Sequence, residues 1–254
     1  MVVLADADNT LWDTDAVFRE AQLLLLSQVE AARGVSCPEY DRLGYVRAYD
    51  QALAQSHHLH LRYPPQLLVR CLEAGLGGIP AQAAAKDAIT GRRLVSKPLD
   101  EAGVMVIVAD YLAALSQTPA LLPGVAEGLR AAKTAGLRLY VMTEGRIEKQ
   151  KRILELHNLQ TFFEGVWALT KDRAQFDRVR TRFNSCHVVI IGDQPDRDIA
   201  PAKAAGCSTV LIPSRFKPSW HSPDDYGAAD YVAADFNDAI QWCAKAAAEG
   251  PLSR

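Results

Sequence analysis

The sequence predicts an α/β protein: a doubly wound, mostly parallel sheet with an all-α domain inserted into it. Three features carry this reading. After Pro123-Gly124, short apolar runs alternate with helix-length segments, and repeated strand-helix-strand units imply parallel strands joined by right-handed crossovers. Between Thr14 and about Gln117 the chain is rich in Ala, Leu, Gln and Arg, with apolar residues at helical spacing and no convincing strand. A lone apolar, β-branched strand at residues 2–6 opens the chain and stops in Asp6-Ala7-Asp8-Asn9-Thr10. One strand cannot bury itself, so it is expected to join the later sheet across the helical insertion.

The elements follow in order from local signals. Breakers at Gly34, Pro64-Pro65, Gly75 to Pro80 and Pro98 divide the helical segment into four or five helices. A helix from about Val125 to Thr134 is stopped by Gly136 and leads to the strand Leu137 to Met142. The polar helix Arg146 to Leu156 precedes the strand Phe163 to Leu169, and a helix from about Arg173 to Arg182 precedes the strand His187 to Ile191. A helix from Pro195 to Ala205 and the strand Ser208 to Ile212 come next. Ser214 to Ala229, rich in Pro, Ser, Asp and aromatics, reads as loop, and Phe236 to Ala248 as a closing helix. The expected core is thus residues 1–13 joined with 120–254, and the all-α domain is 14–119.

Composition narrows the function classes. With 254 residues and 49% of them hydrophobic, the chain can bury a substantial core, and a disordered tail protein is excluded. Lys and Arg number 28 against 30 Asp and Glu, a net charge of −2, which argues against a protein whose main work is holding nucleic acid. The five cysteines, Cys37, Cys71, Cys186, Cys207 and Cys243, form no CxxC pair, so neither a disulfide framework nor a structural zinc site is expected, and a reducing compartment fits. The longest apolar cluster, around Leu23 to Leu26, is far short of a membrane span, and the apolar start gives way at once to Asp6 and Asp8. The expected setting is the cytoplasm, with no membrane partner.

In open parallel sheets, ligands bind beyond the carboxyl ends of the strands. There the sequence places Asp6 and Asp8, then Thr143 with Glu144-Gly145, then Lys171 shortly after the third strand, then Gly192-Asp193. Asp6 and Asp8 are two apart, so if strand geometry persists their side chains point the same way. Asp193 can face them from a neighbouring strand. Such a group of carboxylates repels itself unless a divalent cation sits among them, and Mg²⁺, held by a few carboxylates, water and substrate phosphate, is the natural occupant. Thr143, Lys171 and the backbone N–H groups after Gly145 suit a phosphate.

These residues, Asp6-Ala7-Asp8-Asn9-Thr10-Leu11, Thr143, Lys171 and Gly192-Asp193-Gln194-Pro195-Asp196-Arg197-Asp198, stand in the order and context of the four motifs of the haloacid dehalogenase superfamily. The chain resembles its phosphatase branch, with a Rossmann-like core and an α-helical cap of the first type. The resemblance implies that Asp6 is the nucleophile, forming an aspartyl-phosphate. It implies that Asp8 is the general acid and later the base, its backbone carbonyl helping to hold Mg²⁺ with Asp6 and Asp193. Thr143, with Glu144 and Gly145 beside it, would bind the phosphoryl group. Lys171 would offset the negative charge, and Asp198 would orient Lys171 or a metal-bound water. The chain departs from the family at Asn9, where Gly is common, and at Asp172, where many relatives have Pro. Lys149 and Lys151 on the preceding helix are the poorer alternatives to Lys171.

Within the superfamily, dehalogenases lack the second acidic residue, so Asp8 favours phosphoryl transfer. Phosphonate hydrolases carry a small residue there and fit poorly. The resemblance therefore implies a Mg²⁺-dependent phosphatase of a small phosphorylated metabolite, with its substrate determinants in the cap. A phosphomutase on the same core, a 2-haloacid dehalogenase and a non-enzymatic metabolite-binding protein are the alternatives.

Other conspicuous residues have plainer readings. Asp196 reads as a helix N-terminal acid. His57-His58-Leu59-His60, followed by Tyr63-Pro64-Pro65, reads as a solvated helix end and not as a metal site. Arg19, Arg62, Arg92 and Arg93 read mostly as surface charges, and Trp12 as a packing residue.

Overall fold

The computed structural model describes residues 1–59, 62–92, 95–183, 187–215, 217, 221–222 and 227–249. His60, Arg93, Cys186 and part of the 214–229 loop lie outside the described residues. The chain divides into two compact units, Met1–Asp15 with Thr118–Arg254, and Ala16–Gln117.

The first unit is built on a six-stranded sheet of order β3-β2-β1-β4-β5-β6, with every neighbouring pair parallel. The strands are β1 (Val2–Asp6), β2 (Arg138–Thr143), β3 (Gly165–Ala168), β4 (Val188–Gly192), β5 (Ser208–Leu211) and β6 (Tyr231–Val232). β1 is central and its five residues are all buried. Its side chains alternate between two cores. Val3 and Ala5 join Leu139, Val141, Val189 and Ile191 under Leu129 and Phe236, whereas Val2 and Leu4 join Tyr140, Met142, Val188 and Ile190 under Phe176 and Val179. Burial on both faces explains why these strands read as continuous apolar runs and not as alternating ones.

The strand order winds outward from β1 in both directions, so the switch of direction falls at β1, the place in such sheets where ligands bind beyond the carboxyl ends. The helices of this unit are α6 (Val125–Thr134), α7 (Ile147–Leu156), α8 (Arg173–Arg182), α9 (Ala200–Ala204) and α10 (Phe236–Glu249). α6 ends at Gly136, whose φ of 66° is the left-handed conformation glycine adopts without strain. Two features differ from the sequence expectation. β6 pairs with β5 through only two residues, too few to leave a local pattern. The expected helix from Pro195 to Ala205 divides into a π-turn, Pro195–Ile199, and α9, with Ala200 N–H donating to Pro195 C=O.

The second unit contains α1 (Thr14–Arg33), which starts in the first unit, and α2 (Arg42–Ser56), α3 (Pro65–Leu76), α4 (Ala81–Ile89) and α5 (Glu101–Leu115). Asp41 and Asp100 cap α2 and α5, each accepting from a glycine N–H three residues on. Its core gathers Leu25, Leu26, Val46, Leu53, Leu68, Leu72 and Val104. The buried Glu73 carboxylate is satisfied by Leu99 N–H at 2.7 Å and Arg70 at 2.8 Å. His57 departs from a solvated helix end: it caps α2, is buried, and packs against His58 with the rings tilted and their centroids 4.4 Å apart. Among the described residues Cys37, Cys71, Cys207 and Cys243 are free, and no helix is long and apolar enough to cross a membrane.

Candidate active site

Parallel register sets what meets at the sheet edge. Asp6 is level with Met142 on one side, and Ala5 with Ile191 on the other, so Thr143 and Asp193 lie one step beyond the level of Asp6. β1 ends at Asp6. The chain then turns, with Asn9 at φ 57° and Leu11 N–H donating to Ala7 C=O at 3.0 Å. Asn9 tolerates the left-handed conformation, and its Oδ1 accepts Asp15 N–H at 2.8 Å where α1 begins, a bond that glycine could not make.

Because strand geometry stops at Asp6, alternation does not decide where Asp8 points. Its carboxylate accepts from Thr14 Oγ1 at 2.7 Å, Gln150 Nε2 at 3.1 Å and Trp12 Nε1 at 3.4 Å. Trp12 is thus a core residue that also donates to Asp8. The carboxylates that come together are Asp6, Asp193 and Asp198, each buried, with one oxygen from each within 4.8 Å of the others. Lys171 reaches into this group, its Nζ lying 2.8 Å from Asp6 Oδ1 and 2.7 Å from Asp198 Oδ1. Lys149 and Lys151 are exposed on α7.

The electrostatics fit a divalent cation. Burial pushes the Asp6 carboxyl up to about 8, Lys171 pulls it back, and Asp198 and Asp8 add to the rise. Asp193 is raised well above the carboxylate range by burial and by Asp6 and Asp198. Burial opposes the charge on Lys171, but Asp198 and Asp6 outweigh it and hold the ammonium protonated. When all three carboxylates are ionised, as a bound cation requires, the single ammonium leaves two negative charges, which a divalent ion would match. Asp193 Oδ1 is buried and has no hydrogen-bond partner among the described residues, as expected of an oxygen kept for a cation.

The π-turn and a glycine admit Asp198. A Cβ on Gly192 would fall 2.3 Å from Asp198 Cγ, so only glycine lets this carboxylate pack against the end of β4. Asp198 Oδ2 accepts Gln194 N–H at 3.1 Å, closing the turn around it. π-turns recur at functional sites because the extra residue re-aims a side chain.

Thr143 ends β2 and is buried, its Oγ1 accepting Gly145 N–H at 2.9 Å and Gln150 Nε2 at 3.3 Å. The Glu144 carboxylate takes a bracing position. Arg197 Nε donates to its Oε2 at 2.8 Å, and Lys171 N–H to its Oε1 at 3.2 Å. Burial works against its charge, yet Arg197 and the Lys171 amide hold it below the usual range. This carboxylate joins the loop after β2, the Lys171 loop and the π-turn. Asp196 pairs with His221 Nε2 at 2.9 Å. Gln150, Thr14 and Arg197 escaped the sequence reading. On a helix written Ile147-Glu148-Lys149-Gln150-Lys151-Arg152, a glutamine looks like solvent-facing surface.

A family model described as a hydrolase, haloacid dehalogenase-like, matches residues 1–206. Among curated protein sequences, none matches. Solved structures of similar fold include a haloacid dehalogenase-like hydrolase from Xanthomonas campestris, 19% identical, covering 98% of this chain and 93% of that one, at a TM-score of 0.60. The HAD-hydrolase YfnB from Bacillus subtilis, solved with magnesium, is 18% identical over 95% and 97%, at 0.58. A predicted phosphoglycolate phosphatase from Haemophilus somnus is 16% identical over 95% and 97%, at 0.59. At these identities the likeness concerns the fold.

Proposed function

The chain belongs to the haloacid dehalogenase-like hydrolases, and from that premise we propose that it is a Mg²⁺-dependent phosphatase of a small phosphomonoester. The observation that carries this reading is the buried group of Asp6, Asp193 and Asp198 around Lys171, which carries two negative charges in excess once its carboxylates ionise. Asp6 Oδ attacks phosphorus while the bond to the ester oxygen breaks, and Asp8 gives that oxygen its proton. The aspartyl-phosphate on Asp6 is then attacked by water, whose proton passes to Asp8, freeing phosphate and restoring the Asp6 carboxylate. Lys171 and the Thr143 hydroxyl stabilise the charge that gathers on the phosphoryl oxygens. The cation, held by Asp6, Asp193 and the Asp8 carbonyl, would supply Lewis-acid stabilisation of the phosphoryl group. A dehalogenase would keep the Asp6 nucleophile but need neither Asp8 nor a cation. A phosphomutase would hand the phosphoryl group to a second substrate and release no phosphate. The expected partner is a small phosphorylated metabolite in the cytoplasm, with no role for nucleic acid or membrane.

The test is release of phosphate from a generic aryl phosphate. We expect turnover with Mg²⁺ and its loss in EDTA. Hydrolysis unaffected by EDTA would remove the metal from the reading, and isomerised product without phosphate release would make the protein a mutase.

The raised Asp6 carboxyl sets a pH dependence. A folded-state value near 8 against an ordinary 3.8 means that protonated Asp6 stabilises the metal-free fold fully below about pH 4. That contribution is lost as pH rises through 8. A cation needs the ionised form, so it competes with protons at low pH. Addition of Mg²⁺ should therefore raise the melting temperature more at pH 8 than at pH 6. Equal shifts at both, measured by thermal unfolding against EDTA controls, would contradict this linkage.

A further inference from the structure

We propose that Gln150 is a positioning residue that turns the Thr143 hydroxyl into an obligate hydrogen-bond donor toward the phosphoryl group, while steadying Asp8 with the same amide. This inference rests on the phosphatase reading and deepens it. Gln150 is 1% exposed and shares the inward face of α7 with Ile153 and Leu154, where packing alone would favour an apolar residue. Burying an amide is costly unless its polar atoms are used. Here Nε2 is used twice, toward Asp8 Oδ2 at 3.1 Å and Thr143 Oγ1 at 3.3 Å, while Oε1 finds no hydrogen-bond partner among the described residues. The cost of that carbonyl is accepted for what the NH₂ group does.

Hydrogen-bond accounting fixes the orientation of the amide and then of the hydroxyl. In the carboxylate form that takes the proton from water, Asp8 only accepts, so in that step the amide presents nitrogen to it. A threonine hydroxyl has two lone pairs and one proton. Both lone pairs of Thr143 Oγ1 are engaged, one by Gly145 N–H at 2.9 Å and one by Gln150. The remaining proton can only be given away, and no acceptor for it stands among the described residues. It is held for an incoming anion. Preorganised donors of this kind stabilise developing charge without reorganisation at the moment of reaction. Gln150 also links the turn after β1, through Asp8, to the end of β2, through Thr143, so one side chain sets the spacing between the acid–base group and the phosphoryl donor.

Two variants of similar volume test this. Gln150→Met removes the donor. Gln150→Glu replaces it with an acceptor that draws the Thr143 proton inward and repels Asp8. For both, kcat on an aryl phosphate at saturating Mg²⁺ should fall about 10- to 100-fold, the worth of one hydrogen bond to a charged group. Inhibition by orthovanadate should weaken by a similar factor. In Gln150→Met the Mg²⁺ concentration for half-activation and the melting temperature should stay near wild-type values, because an apolar side chain of similar volume suits the packed face of α7 and the Asp6, Asp193 and Asp198 carboxylates are untouched. Wild-type kcat and vanadate inhibition in either variant would overturn the proposal. So would a loss of activity in Gln150→Met matched by a falling melting temperature or weaker Mg²⁺ activation, since Gln150 would then be structural. Absence of turnover in the wild-type protein would overturn the phosphatase reading and this inference with it. Wild-type turnover with unaffected variants would overturn this inference alone.

Discussion

Asp6→Asn should reduce turnover of an aryl phosphate by roughly four orders of magnitude or more, the scale seen when a nucleophile is removed from a covalent mechanism. The substitution is nearly isosteric, and the carboxamide neither attacks phosphorus effectively nor carries the charge that a cation would balance. The protein should nevertheless stay folded. Asp6 is buried beside Asp198 and in the field of Asp8, so removing its charge relieves repulsion, and Lys171 keeps its 2.7 Å contact with Asp198. In EDTA at pH 8 the variant should melt no lower than the wild type. Full activity in Asp6→Asn would sink the mechanism. A collapsed fold would show that Lys171 depends on Asp6 more than on Asp198.

Lys171→Met carries the largest expected effect on stability. The Lys171 side chain is 5% exposed and bridges two buried carboxylates, and its removal leaves both without an ammonium. Breaking a buried ion pair from one side costs roughly 3–5 kcal/mol, because the stranded charge keeps its desolvation penalty. The urea midpoint should fall accordingly, and activity should be lost at the same time. Mg²⁺ should restore part of the stability, because a divalent ion supplies the charge that the lysine no longer does. Unchanged unfolding in EDTA would mean that the carboxylates are protonated and do not need the ammonium.

Local chemistry made much of the fold legible. α8 runs from Arg173 to Arg182, as its sequence predicts, because Asp172 caps it by accepting Gln175 N–H at 2.8 Å. The strand limits fall within a residue or two of expectation, β3 being trimmed at both ends, because strands buried on both faces announce themselves as apolar runs. β6 was not legible, since two residues carry no period. Nor was the π-turn: Pro195-Asp196-Arg197-Asp198 has the composition of any acidic helix start. Its departure from an α-helix is tied to Asp198 packing on Gly192, a contact made outside the helix.

The sequence by itself determined the kinds of element, their order, and the charged and hydroxyl residues at the strand ends. Those properties depend on period, capping and turn chemistry within a few residues. Only the tertiary structure decided how the residues combine. Asp198 stands with Asp6 and Asp193, and Asp8 is bound by Thr14, Gln150 and Trp12 instead. Glu144 braces Arg197 and the Lys171 loop. The physical reason is that each of these meetings is set by parallel register and by packing between segments far apart in the chain. At that range a buried glutamine and a solvated one look the same in sequence.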